Sequence, residues 1–274
     1  MLSRTSGLIL LSLTLFSAAC KNGSPVKDIP SPTDGVYRIA TYNVGVFNKS
    51  GENTTEMVAL MMKELGVQVL SMNELDSCTA RNPVFQIKLF AEQMGGWGYN
   101  FSPAMAYKGG KYGIGVAYSP EMKLIREFDL NLPKGDGSET RALSVCDFKD
   151  FVFCSTHLDH KSNAAQLAQA QMICDWTEEH YGSSRKPVIL CGDFNALPSS
   201  ETIALMKKNW TVISPDEFTY PAKAPSKCID YFMVYKNAVG KVKVLETEVC
   251  KKFSSGNVEV ASDHLPVYIK IRIR

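Results

Sequence analysis

Histidine is scarce in this sequence, with four in 274 residues, and the formal net charge is only +2. There is no Gly-x-Ser-x-Gly stretch, no Gly-x-x-x-x-Gly-Lys-Ser/Thr loop and no Gly-x-Gly-x-x-Gly. Covalent serine chemistry, cradling of a nucleoside triphosphate and dinucleotide binding therefore lose their usual sequence support. No two cysteines have the close spacing of zinc ligands. Near-neutral charge argues against broad attraction for nucleic acid, so an anionic partner must be drawn by local cations. Internal repeats, low-complexity tracts and a long aromatic insertion that would penetrate lipid are all missing.

The N-terminus is the first informative stretch. Met1–Ala19 has one early cation, Arg4, an apolar core from Leu8 to Phe16, and Ser17-Ala18-Ala19 before Cys20. That pattern predicts a secretory signal, too short to span a membrane, and small residues before a cysteine also resemble a bacterial lipoprotein processing site. A bare secretory cut nearby is the alternative. Residues 1–19 are thus read as signal peptide and 20–35 as a flexible linker lipidated at Cys20; the domain is residues 36–274. The expected location is exported: an outer-membrane or cell-surface lipoprotein, periplasmic if not surface-exposed. Of eight cysteines, seven remain after Cys20. Most lie in apolar runs as small hydrophobes, and a Cys78–Cys228 disulfide is possible.

Periodicity divides the domain. Strands are expected at Val36–Val44, Val67–Met72, Tyr99–Pro103, Ile114–Tyr118, Lys123–Leu130, Thr140–Phe148, Phe151–Thr156, Val188–Leu190, Ile229–Tyr235, Val242–Val249 and Leu265–Ile273. Helices are expected at Glu56–Leu65, after an Asn82 cap with Val84, Ile87, Ala91 and Met94 buried, at Asn163–Tyr181 with Ala168, Met172 and Trp176 facing inward and Leu167 and Ile173 widening that face, and near Glu201–Lys208. The coarse reading is a mixed sheet with covering helices.

Polar residues recur where these strands stop or start: Asn43, Glu74, His157 with Asp159, Asp193 with Asn195, Asp230, and Ser262-Asp263-His264. In Pro187–Ala196 an apolar run ends at Gly192, and Asp193 and Asn195 face the same way if the backbone stays extended, although Asp-x-Asn also favours a turn. The set is rich in oxygen, which suits Mg²⁺, Mn²⁺ or Ca²⁺ better than zinc. Metal-assisted attack of water on a phosphoester is the chemistry that remains.

Across Val36–Ile273 the chain resembles the metal-dependent endonuclease/exonuclease/phosphatase superfamily, on Ala40-Thr41-Tyr42-Asn43-Val44, Leu70–Asp76, Tyr112-Gly113-Ile114, Arg141, Ser155-Thr156-His157-Leu158, Gly192-Asp193-Phe194-Asn195, Ile229-Asp230-Tyr231 and Ser262–Val267. The resemblance implies a four-layered α/β sandwich: two mixed, mostly antiparallel sheets packed face to face, with helices on both outer sides. It implies Glu74 as the principal Mg²⁺ ligand, with Asn43 and Asp263 as further ligands or phosphate partners. Asp193 would orient or deprotonate water and Asn195 hold a phosphate oxygen. His264, oriented by Asp230, would bond the phosphate or serve as the base, His157 would help the leaving oxygen, and Arg141 would support phosphate or framework. Asn73 stands where many members have glutamine. The implied function is an exported phosphoester hydrolase, expected as a monomer. Nucleic acid is the first expected substrate, with Arg81, Lys108, Lys111 and Lys161 as a basic rim. A phosphorylated head group, sphingomyelinase-like or inositol phosphate, is the alternative, and a non-catalytic surface binding module a third.

Overall fold

The computed structural model describes residues 35–274; the predicted signal and nearly all of the predicted linker lie outside them. Twelve strands form two six-stranded sheets. In the first, the order is β11 (Val242–Val249), β12 (Val267–Ile273), β1 (Val36–Asn43), β2 (Val69–Ser77), β4 (Gly110–Tyr118), β3 (Gly98–Tyr107). In the second it is β5 (Leu124–Leu132), β6 (Arg141–Phe148), β7 (Val152–His157), β8 (Val188–Asp193), β10 (Asp230–Tyr235), β9 (Trp210–Val212). Each sheet has one central parallel pair, β1 with β2 and β7 with β8, and every other pairing is antiparallel. The polar ends of all four parallel strands therefore meet at one edge of the sandwich.

Strand alternation builds the layers. Ile189 and Cys191 of β8 join the core shared with the first sheet, whereas Val188 and Leu190 belong to a second core beneath α3 (Asn163–Tyr181) and α4 (Glu201–Met206). A strand buried on both faces explains the uninterrupted apolar run that precedes Gly192. On the other side, α1 (Thr55–Leu65) and α2 (Gln86–Gln93) pack with the first sheet. The expected four-layered sandwich is what forms. Hydroxyls and amides cross the interface between the sheets as well: Ser71 meets Ser155 at 2.6 Å, and the Asn100 amide donates to Ser144 at 3.1 Å.

Several expectations need correction. Cys78 and Cys228 are both free, one exposed and the other buried, and no disulfide occurs among the described residues. Asn82 does not cap a helix; its amide donates to Asp76 at 2.7 Å, and α2 starts at Gln86, leaving Val84 39% exposed. On α3 Ile173 faces inward as expected, but it is accompanied by Gln166, Gln169, Ala170 and Thr177, while Ala168 is exposed and Leu167, Met172 and Trp176 are half-buried. Polar side chains take the inner positions because they bond site loops. Gln166 donates to Asp159 O at 2.6 Å and Asn195 O at 2.9 Å, and Gln169 accepts from Asp159 N at 2.9 Å. Short elements at Trp210–Val212 and Val258–Ala261 (α5) were not anticipated.

Candidate active site

The strand ends surround a cleft of about 650 Å³ lined by Glu74, Arg141, His157, Asp193, Asp263 and His264, among others. Asn43 ends β1, His157 ends β7, Asp193 ends β8, and Asp230 opens β10. Glu74 sits where β2 slips register against β4, with φ +58°, and Asn195 has φ +49°. Two site residues thus occupy the left-handed region that ordinary side chains avoid, a strain that neighbouring structure must hold in place. Of the two conformations open to Asp193–Asn195 the turn is the one that forms, and in it Asn195 N donates to Asp193 Oδ1 at 2.8 Å. Gly192 serves strand packing. At φ +137° it lies against Thr156 O, where any Cβ would collide, so it permits close strand packing and leaves no space for a ligand.

Amides hold the carboxylates. Asn43 Nδ2 donates to Glu74 Oε1 at 3.1 Å and Asp193 Oδ2 at 3.0 Å, while its Oδ1 accepts from Gly45 N at 3.1 Å. Asn73 spans the two sheets, donating to Thr156 O at 2.9 Å and accepting from Asp193 N at 2.9 Å. The shorter amide therefore still reaches both partners. Asn195 Nδ2 donates to Leu158 O at 3.1 Å.

The two histidines are held in opposite ways. His264 Nδ1 donates to Asp230 Oδ2 at 3.0 Å, and that oxygen also accepts from Thr219 Oγ1 at 2.5 Å. Burial works against charge on His264, but Asp230 and Asp193 outweigh it and lift its pKa to about 10. His157 faces Arg141 instead, whose guanidinium contacts its Nδ1 at 3.2 Å and His160 Nδ1 at 3.1 Å. A guanidinium only donates, so His157 Nδ1 is an acceptor and its proton resides on Nε2, 3.5 Å from Asp193 Oδ2. Burial, then Arg141, drives the pKa of His157 far below its usual value. Asp193 is raised by its burial, against the pull of His264.

Lys49 is the residue that sequence reading missed. Its Nζ lies 3.2 Å from Glu74 Oε2 and 3.2 Å from Asp263 Oδ2, so both carboxylates converge on one positive charge. Its stem lies over Gly45, where a Cβ would collide with it. The ammonium marks a place where a cation fits, formed by oxygen donors that are partly solvent-exposed, the setting that suits a hydrated divalent ion. Asp193, Asp230 and His264 also lie within 4.8 Å of one another. In that group the His264 imidazole is already engaged by Asp230 through Nδ1, at 3.0 Å.

Other expected residues do not face the cleft. Asp159 ties loops together, accepting at one or other oxygen from Ser138 N at 2.8 Å, Lys161 N at 2.8 Å and Ser162 N at 2.9 Å. Arg81 is taken up by Asp76, at 2.7 and 3.0 Å, and none of Arg81, Lys108, Lys111 or Lys161 lines the cleft. The expected basic rim does not form there.

Two facing mixed sheets with carboxylates, amides and imidazoles at one edge define a phosphoesterase of the DNase I-like fold. The chain belongs to the Endonuclease/Exonuclease/phosphatase family, whose sequence profile matches residues 40–264. Members of this superfamily are phosphoester hydrolases and generally depend on a divalent metal. A search of curated protein sequences gives no significant match. Among solved structures, the chain is similar to the mannosyl-6-phosphatase Bt3783 of Bacteroides thetaiotaomicron VPI-5482, at TM-score 0.69 and 18% identity over 86% of this chain and 99% of that one. It is also similar to an endonuclease/exonuclease/phosphatase of Bacteroides vulgatus, at TM-score 0.70 and 17% identity, covering 87% and 99%. The human Nocturnin catalytic domain with bound sulfate matches at TM-score 0.66 and 15% identity, covering 89% and 96%.

Proposed function

We propose that this chain is an exported, Mg²⁺-dependent hydrolase of small phosphate esters. The observation that carries this reading is the convergence, in one cleft, of the Glu74–Asp263 carboxylate pair and the Asp193–His264–Asp230 array. Asp193, buried and raised in pKa, is suited to orient water and take its proton. The Asn43 amide and the Asn195 N–H hold that carboxylate in one orientation. His264, kept positive by Asp230, presents an N–H and a charge to the phosphoryl oxygens as negative charge builds. His157 supplies a second, neutral Nε2–H donor beside Asp193, and Arg141 fixes its tautomer. Glu74 and Asp263 would hold the metal, which when bound supplies positive charge against the phosphate oxygens.

The dimensions of the cleft and the commitment of Arg81 to Asp76 favour one phosphate on a small alcohol over successive phosphates of nucleic acid. The sugar-phosphate activity in the name of the Bacteroides thetaiotaomicron relative agrees with this. Nucleic-acid cleavage, the first expectation from sequence, keeps the support of His157. Anchoring through Cys20 and a monomeric state complete the proposal; no helix among the described residues is long and apolar enough to cross a membrane.

The test is a panel of mannose 6-phosphate, inositol phosphates, sphingomyelin, RNA, plasmid DNA and a generic bis-ester, each with Mg²⁺ and with chelator. Phosphate release from the small monoesters, abolished by chelator, is the expected result. Faster cleavage of plasmid or RNA would overturn the small-ester reading, and no hydrolysis at all by folded protein would overturn the reaction.

A further inference from the structure

The edge of the sandwich opposite the cleft has a cavity of its own, of about 700 Å³, beside the starts of β1, β7 and β8. Gly35, Tyr37 and Ile273 contribute from the first sheet, and Phe148, Phe151 and Pro187 from the second. Six cationic side chains line it, Lys123, Lys149, Arg185, Lys186, Lys241 and Arg274, against the carboxylates of Glu121 and Asp150. Lys186 pairs with Asp147, and Lys241 Nζ donates to Arg185 O at 2.7 Å. Lys123, Lys149, Arg185 and Arg274 are exposed and have no acidic partner among the described residues. Their loops are fastened by backbone bonds, Lys149 N to Lys123 O at 2.8 Å and Arg274 N to Lys241 O at 3.0 Å. A fixed group of like charges with too few counter-charges is unfavourable alone and is relieved by an anion.

The same edge is where the chain enters the domain, because Gly35 lies in the cavity wall immediately before β1. Only fifteen residues, Cys20 to Asp34, separate an anchor at Cys20 from this wall. Even fully extended they reach about 50 Å, so an anchored domain stays near the bilayer. We infer that this basic edge docks on anionic lipid head groups of the membrane that holds the anchor, leaving the catalytic cleft facing away from it. The inference rests on the anchored-lipoprotein reading. Basic residues beside an anchor reinforce it through the surface potential, and the attraction fades with salt.

The experiment uses the mature chain, residues 20–274, made without an acyl group, and sedimentation with phosphatidylcholine vesicles containing or lacking phosphatidylglycerol. Binding only to the phosphatidylglycerol vesicles is expected, weakening as salt rises. The pair Lys149→Glu and Arg185→Glu should reduce binding at least about tenfold. The equal charge change Lys207→Glu with Lys208→Glu, on another face, should reduce it far less, and both variants should hydrolyse a soluble ester as the parent does. The milder pair Lys149→Gln and Arg185→Gln gives the same readout if the reversal impairs folding. No binding by the parent, equal loss in the two reversed variants, or stabilisation by pyrophosphate through Lys149 and Arg185 without vesicle binding would each overturn the inference. Mass analysis of Cys20 from cells separates the readings: acylated Cys20 with no vesicle binding leaves the anchor standing and removes the docking edge.

Discussion

His157 and His264 line one cleft, with Nε2 atoms 3.5 and 3.6 Å from the same oxygen of Asp193. Both are buried, yet one is held neutral and the other positive. Burial presses both toward neutrality, so it cannot be the cause of the difference. What differs is the residue behind each ring, a guanidinium for His157 and a carboxylate for His264. A single site thereby contains a neutral donor and a charged one without differing in first contact, and the assignment of roles rests on the partners behind.

Removing the shared carboxylate should have the largest effect. Asp193→Asn is expected to lower turnover by about 10³-fold while the fold persists, since general-base groups contribute on the order of 10²–10⁴; steady-state kinetics with a thermal melt decides this. Asp230→Asn should cost about 10²-fold, the scale of one preorganised donor. It should also bring the His264 titration, followed by NMR, down from about 10. Arg141→Gln is expected to cost about tenfold, typical of a residue that orients a site group. The same change should raise the His157 pKa, and an unmoved titration would show that Arg141 does not govern that ring.

Lys49→Met sharpens the contrast from outside the imidazoles. Vacating the point between Glu74 and Asp263 should tighten divalent-cation binding roughly tenfold, a lost competing charge being worth on the order of 1–4 kcal/mol; calorimetric titration of Mg²⁺ reads it. The smallest effect is on stability against pH in metal-free protein. Because the folded pKa of His264 is raised, its stabilising contribution is whole below the unfolded value near pH 6.5 and is lost as pH rises toward about 10. The melting difference between parent and His264→Gln should therefore be widest below about pH 6.5 and shrink with rising pH.

Much of this was legible in the sequence because strands with period two and abrupt polar stops announce themselves. The run Val188–Leu190 ending at Gly192-Asp193 marked both a doubly buried strand and a site edge. Chain order could not show Lys49, a lysine in a polar loop that reaches the carboxylates only because the backbone turns at Gly45, with φ +53°, and continues with Val46 and Phe47 also at positive φ. Nor could hydrophobic patterning orient α3, since Gln166 and Gln169 point inward to meet backbone groups of the site loops. Arg141 was recognised, but its effect on His157 depends on a cross-strand approach that spacing does not encode. Polar burial is decided by hydrogen bonds between distant segments, and these exist only after folding.

Whether this cleft hydrolyses a phosphate ester with the help of a divalent cation is decided by phosphate released from a small monoester as Mg²⁺ is titrated into metal-free protein. Saturable activation, reversed by chelator, is expected, with Asp193→Asn near background throughout. Folded protein inactive with Mg²⁺, Mn²⁺ and Ca²⁺ alike, or an Asp193→Asn variant as fast as the parent, would contradict it.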